Sequence, residues 1–107
     1  MRKPLPNRRP CQTETVFDAA GKPLDVCCGF DAAGKVREIF ADGHKVGSDS
    51  RAELSDGLVV VSVALQSGID VTDLGRHVGR EAIQPGAPAA STLGLAIDTA
   101  ARMEAQP

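Results

Sequence analysis

The chain has 107 residues, of which 42% are hydrophobic and 24% charged, the size and composition of one globular domain with a single core. Only 3% are aromatic, and Trp and Tyr are absent, which disfavours a nucleic-acid surface built on base stacking. No apolar run approaches the roughly 20 residues that span a bilayer, and the opening MRKPLPNRRP lacks the apolar stretch of a secretory signal. We therefore expect a cytoplasmic protein without a membrane segment.

Positive charge is concentrated at the N-terminus. Residues 1–10 hold four basic side chains and no acidic one, whereas the rest of the chain holds eight basic and fourteen acidic side chains. We predict a flexible, basic, Pro-rich arm over residues 1–11 and a single domain over residues 12–104. A basic arm on an acidic body is typical of segments that contact phosphate, and a solvated disordered tail is the alternative.

A short repeat follows the arm. Residues 17–26 read FDAAGKPLDV and residues 30–39 read FDAAGKVREI. In each copy an aspartate that can bond back to the backbone precedes a glycine that can adopt a positive φ. These residues are Asp18 with Gly21, and Asp31 with Gly34. The pattern predicts two hairpin turns.

Three strands are expected around these turns, at residues 12–18, 23–31 and 35–41, as an antiparallel meander. In the third strand, strict alternation would place Val36, Glu38 and Phe40 on one face. Arg37, Ile39 and Ala41 would then lie on the other face.

Helical periodicity begins at Ser48, which can cap a helix extending to Gln66. Its apolar stripe consists of Leu54, Leu58, Val61 and Leu65. Val59, Val60 and Val63 widen the stripe and predict burial on most sides. Two further helices are expected, one over residues 72–79 capped by Thr72 and one over residues 90–104. The sequence thus predicts an α+β fold: a three-stranded antiparallel meander, a long buried helix and two further helices packed on one face.

The loop that enters the long helix is the strongest candidate for a binding site. A helix N-terminus with adjacent cations and a close-approaching glycine suits an anion such as the phosphate of a nucleotide or nucleic acid. The candidate residues are His44, Lys45, Gly47, Ser48 and Arg51. Because Asp42 and Asp49 can neutralise these cations, a self-capped, solvated loop is the alternative.

The cysteines and the second histidine give weaker signals. Cys27 and Cys28 are adjacent on a predicted strand and point to opposite faces, which disfavours a shared metal. A zinc site from Cys11, one of this pair, His44 and His77 stays an alternative, as does a redox thiol, beside the plainer interpretation as reduced thiols. We expect His77 to lie on the short helix and pair with Asp73. We predict no catalytic residue, metal ligand or cofactor.

Three segments carry a family resemblance: REIFADGHKVGS from Arg37 to Ser48, then Arg51, then SVALQSGI from Ser62 to Ile69. Together they resemble the TSCPD domain, over roughly residues 24–101. This domain occurs near the C-terminus of adenosylcobalamin-dependent ribonucleotide reductases and as short free-standing bacterial chains. The sequence departs from the family in having no Cys-Pro pair and no C-terminal cysteine pairs.

The resemblance implies a place in deoxyribonucleotide metabolism, in the context of ribonucleoside-diphosphate reductase. From a chain of this length we expect no reductase catalysis. The expectation is a non-catalytic accessory module that binds a ribonucleotide reductase or a nucleotide or nucleic-acid phosphate, and that forms a homo-oligomer. The alternatives are a small thiol-based redox or metal-binding protein, or a purely structural homo-oligomer.

Overall fold

The computed structural model describes residues 11–43 and 49–106. Residues 1–10 of the predicted arm lie outside this range, and Cys11, its last residue, begins the first strand. The elements are, in chain order, β1 (Cys11–Phe17), β2 (Pro23–Phe30), β3 (Val36–Asp42), α1 (Asp49–Gln66), α2 (Val71–Gly75) and α3 (Thr92–Ala105). The strands form one antiparallel sheet in the order β1-β2-β3, and the helices follow. The α+β prediction is therefore confirmed.

Both hairpin turns form as the repeat predicts. Gly21 and Gly34 have φ of 79° and 81°, conformations that an L side chain would strain. The Asp18 carboxylate accepts the N–H groups of Ala20 and Lys22, each at 2.9 Å. The carboxylate of Asp31 accepts the corresponding N–H groups of the second turn at 2.9 and 3.0 Å.

The predicted alternation along the third strand is wrong, because β3 contains a bulge. Gly29 pairs with Glu38, but Phe30 pairs with Val36, so Arg37 is an extra residue on β3. Val36 and Ile39 are consequently both buried, and Phe40 lies on the uncovered face. A bulge reverses the alternation of buried and exposed side chains at one point, and the period-two pattern of the sequence does not show where this happens.

The core lies between one face of the sheet and the helices. It joins alternate residues of β2, together with Val36 and Ile39 of β3, to one stripe of α1, Val71 of α2 and one face of α3. Its fully buried members are Val26, Cys28, Val36, Ile39, Leu65, Val71, Ala96 and Ala100. The other face of the sheet is not covered by a described helix.

The expectation that the long helix is buried on most sides is wrong. Leu54, Leu58 and Leu65 are buried, but Val59 and Val60 are 57% and 69% exposed. Only one stripe of α1 contacts the sheet and α3, so these valines point outward. In the sequence these valines look like core residues, because the apolar pattern does not show how wide the buried stripe of the helix is.

The two later helices differ in detail from prediction. α2 ends at Gly75, so His77 lies in the following turn, and Asp70 rather than Thr72 occupies the N-cap position. α3 begins at Thr92, and the Ser91 hydroxyl caps it by accepting the N–H of Gly94 at 2.9 Å. None of the helices in the described ranges has the length and apolarity needed to cross a membrane.

Candidate functional site

Gly43 directly follows β3 and packs closely against the backbone of β2. A Cβ on Gly43 would lie 2.5 Å from the carbonyl oxygen of Pro23, so only glycine lets the chain leave β3 along this path. In the first turn of α1, the Arg51 guanidinium forms an ion pair with the Asp42 carboxylate at 3.2 Å. The arginine side chain is 40% exposed. One cation of the predicted anion site is therefore placed beside the helix start, together with a carboxylate that competes for it.

The other residues predicted for this site are His44, Lys45, Gly47 and Ser48. All four lie outside the described residues, as does the predicted cap of α1 by Ser48. The anion site thus stays a prediction, with Arg51 and Asp42 as its described neighbours.

The motif that ends the long helix has a structural role. Gly68, with φ of 106°, ends α1, and its N–H bonds to Leu65 while the N–H of Ile69 bonds to Ala64, a Schellman motif. The Arg37 guanidinium donates to the carbonyl oxygens of Leu65 and Ile69 at 2.9 and 3.1 Å. The Arg37 side chain at the bulge in β3 thus adds two hydrogen bonds to carbonyl oxygens at and just beyond the C-terminal end of α1.

Ser62 bonds the same helix to β3 at the edge of the sheet. Its hydroxyl accepts the N–H of Ile39 at 3.1 Å and donates to the Ile39 carbonyl at 3.4 Å. The outward N–H and C=O groups of an edge strand can pair with another strand unless they are bonded within the chain. The motif SVALQSGI therefore lets α1 close the β3 edge. The spacing of its residues in the sequence did not predict this structural role.

The solvent face of α1 carries an apolar strip, which we define as Val59, Val60 and Val63. The last of these is 39% exposed. The three valines are three or four residues apart or adjacent, so they form one continuous exposed apolar surface rather than scattered apolar residues.

The three cysteines occupy two different environments. Cys28 is buried and its thiol lies 3.8 Å from the sulfur of Met103. Burial, and then the neighbouring thiols Cys27 and Cys11, raise the pKa of Cys28 to about 12, so it stays protonated. On the uncovered face, the sulfur atoms of Cys11 and Cys27 are 3.0 Å apart. The alternation of Cys27 and Cys28 was predicted, whereas the approach of Cys11 depends on strand register. Within the described ranges, no three His, Cys, Asp or Glu side chains cluster as metal ligands would.

The predicted pairing of His77 with Asp73 is wrong. Asp73 instead forms an ion pair with Arg76 at 3.0 Å, because α2 ends before the histidine reaches a helical position. His77 is exposed, and its backbone N–H bonds to Leu74.

An open groove separates the first hairpin turn from the start of α3, and Glu81, Asp98 and Arg102 line it. Asp98 pairs with Arg80, whose guanidinium also donates to the carbonyl of Gly75 at 2.7 Å. The hydrogen bonds that the Arg80 guanidinium donates to the Asp98 carboxylate raise the pKa of Arg80. Arg102 pairs with a glutamate of β1 at 3.2 Å. The groove therefore offers a phosphate no excess of positive charge.

Together these features define a small α+β domain with an apolar strip on α1, and the described residues assemble no catalytic centre. The chain is 32% identical over 72 residues, 67% of its length, to a vitamin B12-dependent ribonucleotide reductase from Agrobacterium fabrum. The chain spans about 6% of the length of that relative. No protein-family model and no solved structure matches the chain. The likeness supports the predicted resemblance to a segment of a ribonucleotide reductase.

Proposed function

We propose that this chain is a non-catalytic accessory module of TSCPD type that docks onto a ribonucleotide reductase in the cytoplasm through the apolar strip of α1. The observation that carries the proposal is the 72-residue likeness to a vitamin B12-dependent ribonucleotide reductase. The match covers about 6% of that relative, so the matching segment belongs to a much longer polypeptide.

The strip has the chemistry that such docking requires. Val59 and Val60 expose more than half of their surface, and branched aliphatic side chains lose little rotamer freedom when a partner covers them. The opposite side of α1 is fixed by Leu54, Leu58 and Leu65 in the core. Substitutions in the strip can therefore change docking without removing core contacts.

The test is binding of the full chain to a purified vitamin B12-dependent ribonucleotide reductase from the same source, measured by calorimetry. We expect the double variant Val59→Lys/Val60→Lys to bind at least about 10-fold more weakly, because a charge would be buried at the interface. Ile83→Lys, which changes an equally apolar and fully exposed residue elsewhere, is the matched control. Equal weakening by both variants would contradict docking through the strip.

A second candidate function is phosphate binding by His44, Lys45, Gly47, Ser48 and Arg51. The described feature that favours it is the guanidinium of Arg51 in the first turn of α1, where N–H groups of a helix are unpaired. A nucleotide or nucleic-acid phosphate would compete with the Asp42 carboxylate for this cation.

Titration with dATP and with inorganic pyrophosphate tests this candidate. Lys45→Glu/Arg51→Glu should abolish binding, and Asp42→Asn should strengthen it by removing the competing carboxylate. Arg76→Glu, at an exposed ion pair far along the chain, is the control. Unchanged affinity in the double variant would exclude the site.

Self-association is a further proposal. Because α1 closes the β3 edge, β1 is the sheet edge at which two copies could pair. Sedimentation of the full chain should then show a dimer, and a monomer at high concentration would exclude it.

A further inference from the structure

The uncovered face of the sheet brings two thiols together. Cys11 pairs with Gly29 and Cys27 with Thr13, so the two cysteines are diagonal neighbours on adjacent antiparallel strands. Their sulfur atoms are 3.0 Å apart. A disulfide bond is about 2.0 Å long, so a shift of about 1 Å would bring the sulfur atoms to bonding distance.

We propose that Cys11 and Cys27 form a thiol–disulfide exchange site that a low-molecular-weight disulfide oxidises, linking β1 to β2. This inference is independent of the proposed partner. Its substrate class is a small disulfide such as oxidised glutathione, and its product is a cross-strand protein disulfide.

The exposure of the two thiols sets the order of events. Cys11 is exposed at the start of β1, whereas Cys27 is half-buried between Thr13 and Phe40 on the neighbouring strands. A small disulfide therefore reaches Cys11 first. Cys28 faces the core beside Met103 and takes no part, because its thiol is inaccessible.

The exchange proceeds in two displacements. The deprotonated sulfur of Cys11 attacks one sulfur of the small disulfide, whose S–S bond breaks and releases one small thiol that takes up a proton. The deprotonated sulfur of Cys27 then attacks Cys11 in the mixed disulfide and releases the second small thiol. Two protein thiols lose two electrons and two protons, and the small disulfide gains them.

To test the proposal, the reduced full chain is incubated with oxidised glutathione, quenched with acid and alkylated in urea, where the buried Cys28 can react. Intact mass and peptide fragmentation then identify the products. We expect a product that has lost two hydrogens, carries no glutathione, links residues 11 and 27, and leaves one thiol to alkylate. Cys28→Ala, which separates the adjacent cysteines in the fragment spectra, should give the same link. Cys27→Ser should stop at one glutathione on Cys11.

Rate measurements test whether the native geometry is responsible. Release of glutathione from the mixed disulfide should be at least about 10-fold faster in the folded chain than in concentrated urea, where the two strands separate. Equal rates, or a product that keeps a separate glutathione on each cysteine, would overturn the proposal. Both measurements use the wild-type chain, so neither requires that a variant folds.

Discussion

Replacing Ser62 by alanine tests how α1 is fastened to the sheet. The Ser62 side chain is 8% exposed, and the Ile39 backbone that it bonds lies in the core. Ser62→Ala leaves the Ile39 N–H without its acceptor, and an unsatisfied buried donor costs about 1–3 kcal/mol. We expect the free energy of unfolding to fall by about 2 kcal/mol.

The assay is urea unfolding followed by far-ultraviolet circular dichroism, since the chain has no Trp or Tyr for fluorescence. With a slope of about 2 kcal/mol per molar urea, the midpoint should fall by about 1 M. Ser67→Ala is the control: its hydroxyl donates at 2.8 Å to the Val63 carbonyl on the helix surface. That change should stay within about 0.5 kcal/mol. Equal effects of the two substitutions would refute the reasoning.

Three further predictions concern the turns, the close glycine and the buried thiol. Burial opposes ionisation of Asp31, but the N–H of Lys35 and the Arg37 guanidinium hold its pKa below the ordinary 3.8. Asp31→Asn should therefore lower the free energy of unfolding more than Asp18→Asn does at neutral pH. In urea titrations, this difference between the two variants should disappear as the pH falls through the lowered pKa of Asp31. Gly43→Ala should lower the free energy of unfolding by about 1–3 kcal/mol, because the added Cβ would lie 2.5 Å from a backbone oxygen. Gly79→Ala is the control in the same assay. It should be neutral, because its Cβ would meet only a methyl group at 3.8 Å. Cys28 should react with N-ethylmaleimide only when the chain unfolds, which mass spectrometry detects.

Local chemistry made much of this fold predictable. The repeated Asp and Gly positions specify their turns through bonds within a few residues, and both turns form as predicted. The helix stop at Gly68 likewise depends on one conformation that glycine adopts easily. Such features need no knowledge of distant parts of the chain.

Features that depend on tertiary contacts were not predictable. At the bulge, the Arg37 guanidinium bonds to the end of α1, far along the chain, and no local pattern in the sequence marks this contact. The burial of α1 depends on how much of it the sheet and α3 cover. The approach of Cys11 to Cys27 follows from the register of β1 and β2, which the hairpin turn fixes, but the predicted strand began at residue 12 and left Cys11 outside the sheet.

Calorimetry of the full chain with a purified vitamin B12-dependent ribonucleotide reductase tests the central proposal most directly. We predict saturable binding by the wild-type chain and by Ile83→Lys, and at least about 10-fold weaker binding by Val59→Lys/Val60→Lys. Circular dichroism of each variant should match that of the wild type. No heat of binding with the folded wild-type chain, or equal binding by all three proteins, would contradict docking through the apolar strip.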